Sequence, residues 1–378
     1  MYLLEHDAKE LLAGRGIAVP AGVLIESATA LHSAPLPAGP WVVKGQIAAG
    51  GRGKAGIIRK AATRAELEAH AREIIGAEVK NQRVGSVRVE QQVKSVREAY
   101  AGFLLDAASG GVRVILSASG GMEIEQVPRE RIHGEIARPD ARSLSDSVHR
   151  LARNLPFETA AAARDAGEKL ARAFLELEAM LIEINPLFVL DGGRWIAGDA
   201  KFVTDDNALP RQPALRALLD SRSGAYADVA RKAAHGFDYV VVDPAGEIGL
   251  LTTGAGLSMM LIDEMRAAGM KPYNFLDIRT GGLRGETTRL TQVLQWISEG
   301  RRVKVLLVNI FAGITELGEF SRLLVEAIAA APQLKVPVVA RLVGNGLPAA
   351  REVLAAAGIV LHTDLDAALA EVRKHLNK

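Results

Sequence analysis

Two stretches carry the side chains best able to do chemistry. In "LIEINPLFVLDGGRWIAGDAKF", Asp191-Gly192-Gly193 reads as a three-residue hairpin loop that pairs Leu190 with Arg194. Counting outward from that pair sets Asn185 opposite Asp199 and Glu183 opposite Lys201. Strand side chains alternate, so these four share one face; Ile182, Ile184, Phe188, Ile196, Ala200 and Phe202 form the other and read as core. A carboxylate and an amide oxygen meeting across a hairpin are hard donors suited to Mg²⁺, with phosphates and water completing an octahedron. The plainer possibility is a cross-strand Glu–Lys pair beside a hydrogen-bonded Asn–Asp pair.

The second stretch is "WVVKGQIAAGGRGKAG", where an apolar run ends in Lys44 and a glycine-rich segment follows with Arg52 and Lys54. A P-loop would need glycine at Ala48 and a hydroxyl residue at Ala55, and both fail. Successive glycines still expose backbone N–H groups to phosphate, and the two cations supply charge. A solvated flexible loop is the alternative. Two expected helix starts, "TTGAGLS" and "FAGITEL", offer unpaired N–H groups to an anion. Met259 replaces the last glycine of a dinucleotide fingerprint in the first, which disfavours a nicotinamide oxidoreductase.

The elements that must position these groups fall into two rhythms. Residues 1–236 begin with a helix in "LLEHDAKELLAGRG" and continue through short β-like runs, an expected helix at 64–75, a helical stretch at 140–180 and the hairpin at 179–202. From 237 to 378 strand–turn–helix repeats, which indicates a parallel, doubly wound sheet. The main boundary is expected near 236. With 378 residues, 49% of them hydrophobic, the chain is long enough for two or three globular domains. Its 46 Lys and Arg balance 44 Asp and Glu, which gives no support to nucleic-acid or membrane-surface binding. There is no cysteine, so thiolate chemistry is excluded. Glu5 and Asp7 stand where a secretory signal would place cations, and no apolar run approaches ~18 residues, so a cytoplasmic location is expected.

Taken together, "EHDAKELLAGRGIAVPAG", "WVVKGQIAAGGRGKAG", "SASGGMEIEQV", "LIEINPLFVL", "DNALPRQP", "GAGLSMMLID", "NFLD" and "VLLVNIFAGI" resemble the β subunits of succinyl-CoA synthetase and the similar malate–CoA ligases. The resemblance runs nearly the whole length. It implies an α/β chain with an N-terminal ATP-grasp domain and a C-terminal flavodoxin-like domain. It further implies that Lys44 holds the phosphates of ATP and that Gly51, Arg52 and Gly53 form a flexible loop over them. Glu90 and the Val93 backbone would fall at the adenine hinge, and Glu98 would contact nucleotide. Asn185 and Asp199 would hold Mg²⁺, and Glu183 would meet a phosphorylated histidine. Pro20 matches relatives that prefer ATP to GTP.

That histidine would come from an α subunit that also binds CoA, in an αβ or α2β2 heteromer. The eight histidines here (His6, His32, His70, His133, His149, His235, His362 and His375) lie outside the matching active-site blocks, so the chain alone is expected to be an incomplete catalyst. A small carboxylic acid would meet Thr253, Gly313, Ile314 and Thr315. Here the pattern breaks: Thr253 replaces an asparagine, "IRTGGLRGE" follows "NFLD", and Glu316-Leu317 replaces basic and small polar residues. Glu316 would repel an incoming anion, whereas Arg279 and Arg284 can restore positive charge. Succinate is the default acid, with malate, citrate or another acid as alternatives. A nucleotide-binding regulatory or assembly subunit without turnover is the rival from a different class.

Overall fold

The computed structural model describes the chain apart from Asn81, Ser223, 280–284, Ile314 and Lys378. Its contacts divide it into Met1–Ala225 and Tyr226–Lys378. The division falls earlier than the expected 236 because the helix Ala227–His235 belongs to the second unit. There His235 meets Trp296 edge-on, with ring centres 5.0 Å apart. Nothing in that short Ala- and Lys-containing segment marks its allegiance, since none of its residues is fully buried.

In the first unit, a four-stranded antiparallel sheet runs in the order Gly22–Ile25, Ser86–Gln91, Trp41–Gln46, Ile58–Ala61. Its two faces differ in kind. Val43, Val87 and Val89 pack with Leu67, Ala71 and Ile74 of the helix Arg64–Ile74. That helix starts where a capping box fixes it, Thr63 and Glu66 each accepting the other's backbone N–H. The alternate residues Lys44, Gln46, Arg88 and Glu90 are buried too, which gives the second face a charged interior. The helix Glu5–Ala13 contributes Glu5, His6, Asp7 and Lys9 as further buried polar groups.

A second sheet runs Trp195–Ala197, Ala179–Val189, Arg97–Asp106, Gly111–Ser117, Ile132–Ala137, with Lys201–Thr204 also paired to Ala179–Val189. The helices Ala141–Ala152 and Phe157–Glu176 pack against it, and Phe103 meets Phe174 at 6.1 Å between ring centres. Ile132–Ala137 was not legible as a strand. It is a half-buried edge strand with little hydrophobic alternation.

The hairpin keeps the counted register: Glu183 pairs with Lys201, Ile182 with Phe202 and Leu187 with Ala197. The core face needs one correction. Ile182, Ile184, Ala200 and Phe202 are buried, but Phe188 and Ile196 are only half-buried, and Leu187, Val189, Trp195 and Ala197 replace them. The cause is a one-residue slip against Arg97–Asp106 between Ile184 and Leu187. An extra residue turns every following side chain to the other face.

The second unit carries a four-stranded parallel sheet in the order Ile248–Thr252, Val305–Ala312, Val338–Gly344, Leu361–His362. Val305 to Ile310 is buried without interruption, as a strand covered on both faces requires. Asn274–Asp277 pairs antiparallel with Asp238–Val241. The Asn274 side chain extends this arrangement, accepting from the Leu250 N–H at 2.9 Å and donating to the Leu250 carbonyl at 2.8 Å. Among the described residues no helix is long and apolar enough to cross a membrane.

Phe103 is fully buried between the second sheet and its helices. Phe103→Ala is expected to destabilise the first unit by about 3–5 kcal/mol, read as a fall in the melting temperature of the full chain.

Candidate functional site

The first unit contains a cavity of about 680 Å³. Its walls include Tyr2, Glu5, Gly51, Arg52, Gly53, Lys54 and Lys80 on one side, and Gly121, Glu123, Glu183, Asn185, Asp199 and Lys201 on the other. The glycine-rich segment and the hairpin face therefore open onto one space. Among the described residues, none that lines the cavity is a histidine.

Asn185 and Asp199 sit at the level of the one-residue slip. Between them Gly198 donates its N–H to the Pro186 carbonyl at 2.9 Å. A Cβ on Gly198 would lie 2.4 Å from the Phe188 ring, so the strand can fold in here only as glycine. The Asn185 amide oxygen accepts the Gly121 N–H at 2.8 Å, and its nitrogen donates to the Met122 carbonyl at 2.7 Å. The Asp199 carboxylate accepts the Ala200 N–H at 2.7 Å and both hydrogen bonds from one Arg52 nitrogen, at 2.7 and 2.8 Å. An amide oxygen and a carboxylate that already attracts a cation form a hard donor pair suited to a divalent metal. Among the described residues no cluster of three or more acidic, His or Cys side chains could hold a metal alone. Phosphate and water would have to complete such a site.

Glu183 is half-buried beside this pair and accepts from the Tyr100 hydroxyl at 3.2 Å. Burial pushes its carboxyl up, opposed by Lys201 and by the Tyr100 hydrogen bond.

A buried ionic cluster runs back from the cavity wall, starting at Glu5 and Arg52. Glu5 pairs with Lys9 at 2.7 Å, Lys44 at 2.9 Å and Arg52 at 2.7 Å. Glu90 pairs with Lys44 at 2.6 Å, Lys9 at 2.8 Å and Arg88 at 3.0 Å. The Gly198 carbonyl accepts from both lysines, at 2.8 Å from Lys9 and 2.7 Å from Lys44. Burial would lower the Lys44 ammonium, but the Glu5 and Glu90 carboxylates outweigh it and hold Lys44 well above the usual range. Burial likewise opposes ionisation of Glu5, yet Arg52, Lys44 and Lys9 keep it well below the usual carboxylate range.

The Lys44 ammonium is buried against the Glu5 carboxylate, which itself lines the cavity. The Glu90 side chain is paired with three cations, and its strand position is bonded on both sides, to Gly22 and Val42. Val93 does lie in the irregular link between Ser86–Gln91 and Arg97–Asp106. Glu98 is exposed beside Gly121 at the cavity edge. The Pro20 carbonyl accepts from Arg88 at 3.0 Å. Sequence reasoning missed Glu5, Lys9, Arg88 and Tyr100, although the i,i+4 spacing of Glu5 and Lys9 was a usable signal.

In the second unit, Thr253 and Gly313 follow the ends of the adjacent strands Ile248–Thr252 and Val305–Ala312, and Thr315 lies just beyond. This is the carboxyl edge of the parallel sheet, where such folds bind ligands. Ile314 and Arg284 lie outside the described residues. The helix start at Leu317–Ala329 is not open as expected. Glu316 caps it, its carboxylate accepting the Gly318 and Glu319 N–H groups at 3.0 and 2.6 Å, while the Leu317 N–H donates to the Asn345 carbonyl at 2.9 Å. Glu316 thus supplies the anion the helix end attracts, and those bonds hold its carboxyl low. Arg279 is directed to Asp238 at 3.3 Å.

The comparisons with known proteins follow the same division. Residues 2–189 match the ATP-grasp domain and residues 251–374 match the CoA-ligase domain. The fold and its cavity therefore define a two-domain ligase that joins a nucleotide-grasping module to a CoA-ligase module. The chain is 39% identical over 367 residues to the succinate–CoA ligase [ADP-forming] subunit beta of Chloroflexus aurantiacus, covering 95% of each chain. It is 36% identical to that of Halorhodospira halophila, over 96% of this chain and 95% of the other. It belongs to the family of ADP-forming succinate–CoA ligase beta subunits. The fold also resembles the ATP citrate lyase of Methanothrix soehngenii, with a TM-score of 0.70 and 16% identity over 96% of this chain and 95% of the other.

The cluster makes a pH prediction. Burial, reinforced by Arg88 and Arg222, holds the His6 imidazole down to about 4, and its Nδ1 lies 2.7 Å from Arg88. An unfolded histidine takes its proton near pH ~6.5. Between those values the unfolded chain binds more protons, so stability is lost as pH falls through this window, by at most about 3 kcal/mol. Melting curves from pH 7 to 4 should show this slope, and His6→Asn, which keeps an acceptor but cannot titrate, should flatten it.

Proposed function

We propose that the chain is the nucleotide-binding subunit of an ATP-dependent succinate–CoA ligase, acting with an α-type partner that supplies a phosphorylatable histidine and the CoA site. The observation that carries this reading is the single cavity on which the Arg52 loop, the Asn185–Asp199 oxygen pair and Glu183 converge. Phosphoryl transfer needs positioning and charge neutralisation more than covalent help from the protein, and this wall offers both. Asn185 and Asp199 would hold Mg²⁺, which when bound neutralises phosphate charge. Arg52 and the exposed glycine N–H groups would orient the triphosphate, with Lys44 and Glu5 behind them setting the local charge.

Glu183, its carboxyl raised by burial and oriented by Tyr100, would accept the N–H of an incoming imidazole. Holding that ring by one nitrogen leaves the other to attack the terminal phosphorus of ATP, breaking its bond to the bridging oxygen so that ADP leaves. The histidine then carries the phosphoryl group to the acid, and CoA sulfur displaces phosphate from the acyl phosphate. Succinate is favoured by the near full-length identity to the named beta subunits.

Co-expression with an α-type partner, followed by thioester formation across succinate, malate and citrate, tests this. Succinate should give the highest kcat/KM, and the chain alone should give no turnover. A clear preference for another acid would overturn the substrate assignment. In the assembled enzyme Glu183→Gln should lower kcat by roughly 10²-fold or more with little change in the KM for ATP.

A further inference from the structure

We propose that Arg52 is a place-holding cation for the divalent metal, so that guanidinium and metal occupy the Asp199 carboxylate in turn. The inference rests on the nucleotide-and-metal reading above and adds an order of events to it. Arg52 is clamped from two sides. One nitrogen reaches both Asp199 oxygens, at 2.7 and 2.8 Å. The other lies 2.7 Å from Glu5 and 3.3 Å from the Gly45 carbonyl. The side chain is only 7% exposed, so this is a built contact and not a surface encounter.

A metal bound to either Asp199 oxygen would set two positive charges against that guanidinium at contact distance, where like charges repel strongly. The pairing seen here and metal coordination by Asp199 therefore compete. Arg52 has the means to leave, because Gly50, Gly51 and Gly53 flank it and Gly51 holds a φ of +72°. It also has a destination, since a planar guanidinium binds phosphate oxygens bidentately and the cavity lies beside it. Triphosphate arrival would draw Arg52 off Asp199 and open that carboxylate to the metal travelling with the nucleotide. Free metal would be disfavoured, and nucleotide and metal would bind cooperatively. Glu5 is then a positioning residue that parks Arg52 and, held by Lys9, remains neutralised when Arg52 departs.

Manganese(II), titrated into the full chain without nucleotide and followed by electron paramagnetic resonance, tests the exchange. Arg52→Ala should bind the ion on the order of tenfold more tightly than the native chain, and adding Asp199→Asn should remove the gain. A non-hydrolysable ATP analogue should bind Arg52→Ala more weakly than the native chain, so the two affinities move in opposite directions, which general damage would not produce. Arg52→Lys, unable to bridge Asp199 and Glu5 together, should lie between the two and serves if the alanine variant melts early. Equal manganese affinity in the native chain and these variants would overturn the proposal, as would a gain that survives Asp199→Asn. If the native chain binds no analogue even with manganese, the nucleotide reading fails, while the metal-alone comparison still decides the role of Arg52.

Discussion

A carboxylate on the first turn of the first helix holds three cations at once, and the nucleotide-grasping half is arranged around it. Glu5 touches Lys9, Lys44 and Arg52, and Glu90 closes the ring through Lys44, Lys9 and Arg88. Buried charges are costly unless each is matched, so none of these residues can be exchanged alone without exposing the desolvation penalty of its partners. The cluster ties the helix Glu5–Ala13 and the strands Trp41–Gln46 and Ser86–Gln91 to the Gly198 carbonyl of the hairpin. It joins the first sheet to the second through polar contacts.

Such a joint suits a site that must bind a polyanion. An apolar interface would fix the walls but leave no charge to exchange. Here the cavity-lining Arg52 is already paired with Glu5 and Asp199, and Glu5 keeps Lys9 and Lys44 when a phosphate draws Arg52 away. The inner residues Lys9 and Arg88 are almost wholly enclosed and keep the carboxylates neutralised in either arrangement. In the second unit Glu316 shows the same logic on a smaller scale, a carboxylate of the chain satisfying helix N–H groups that attract anions.

Much of this was legible before any coordinates. The hairpin register followed from Asp191–Gly193 and strand alternation, which is local chemistry, and it placed Glu183, Asn185, Asp199 and Lys201 along one cavity. The parallel sheet of the second unit followed from strands alternating with helices, whereas the antiparallel pair Asp238–Val241 and Asn274–Asp277 was not foreseen. The slip at Asn185-Pro186 was not legible, because a bulge is set by the neighbouring strand Arg97–Asp106 and leaves no mark on the hairpin's own alternation. Nor was the edge strand Ile132–Ala137, whose half-exposed residues lack a clear period.

The chain's residue order by itself determined which groups could do phosphate and metal chemistry, because residue type fixes charge and donor hardness, and short spacing fixes which side chains share a face. Tertiary structure alone decided their pairing. Glu5 and Glu90 are 85 positions apart in the numbering of the chain, yet both hold Lys9 and Lys44. Electrostatic partnership acts through space over a few ångströms, and only the folded backbone brings a helix, two strands and a hairpin within that range.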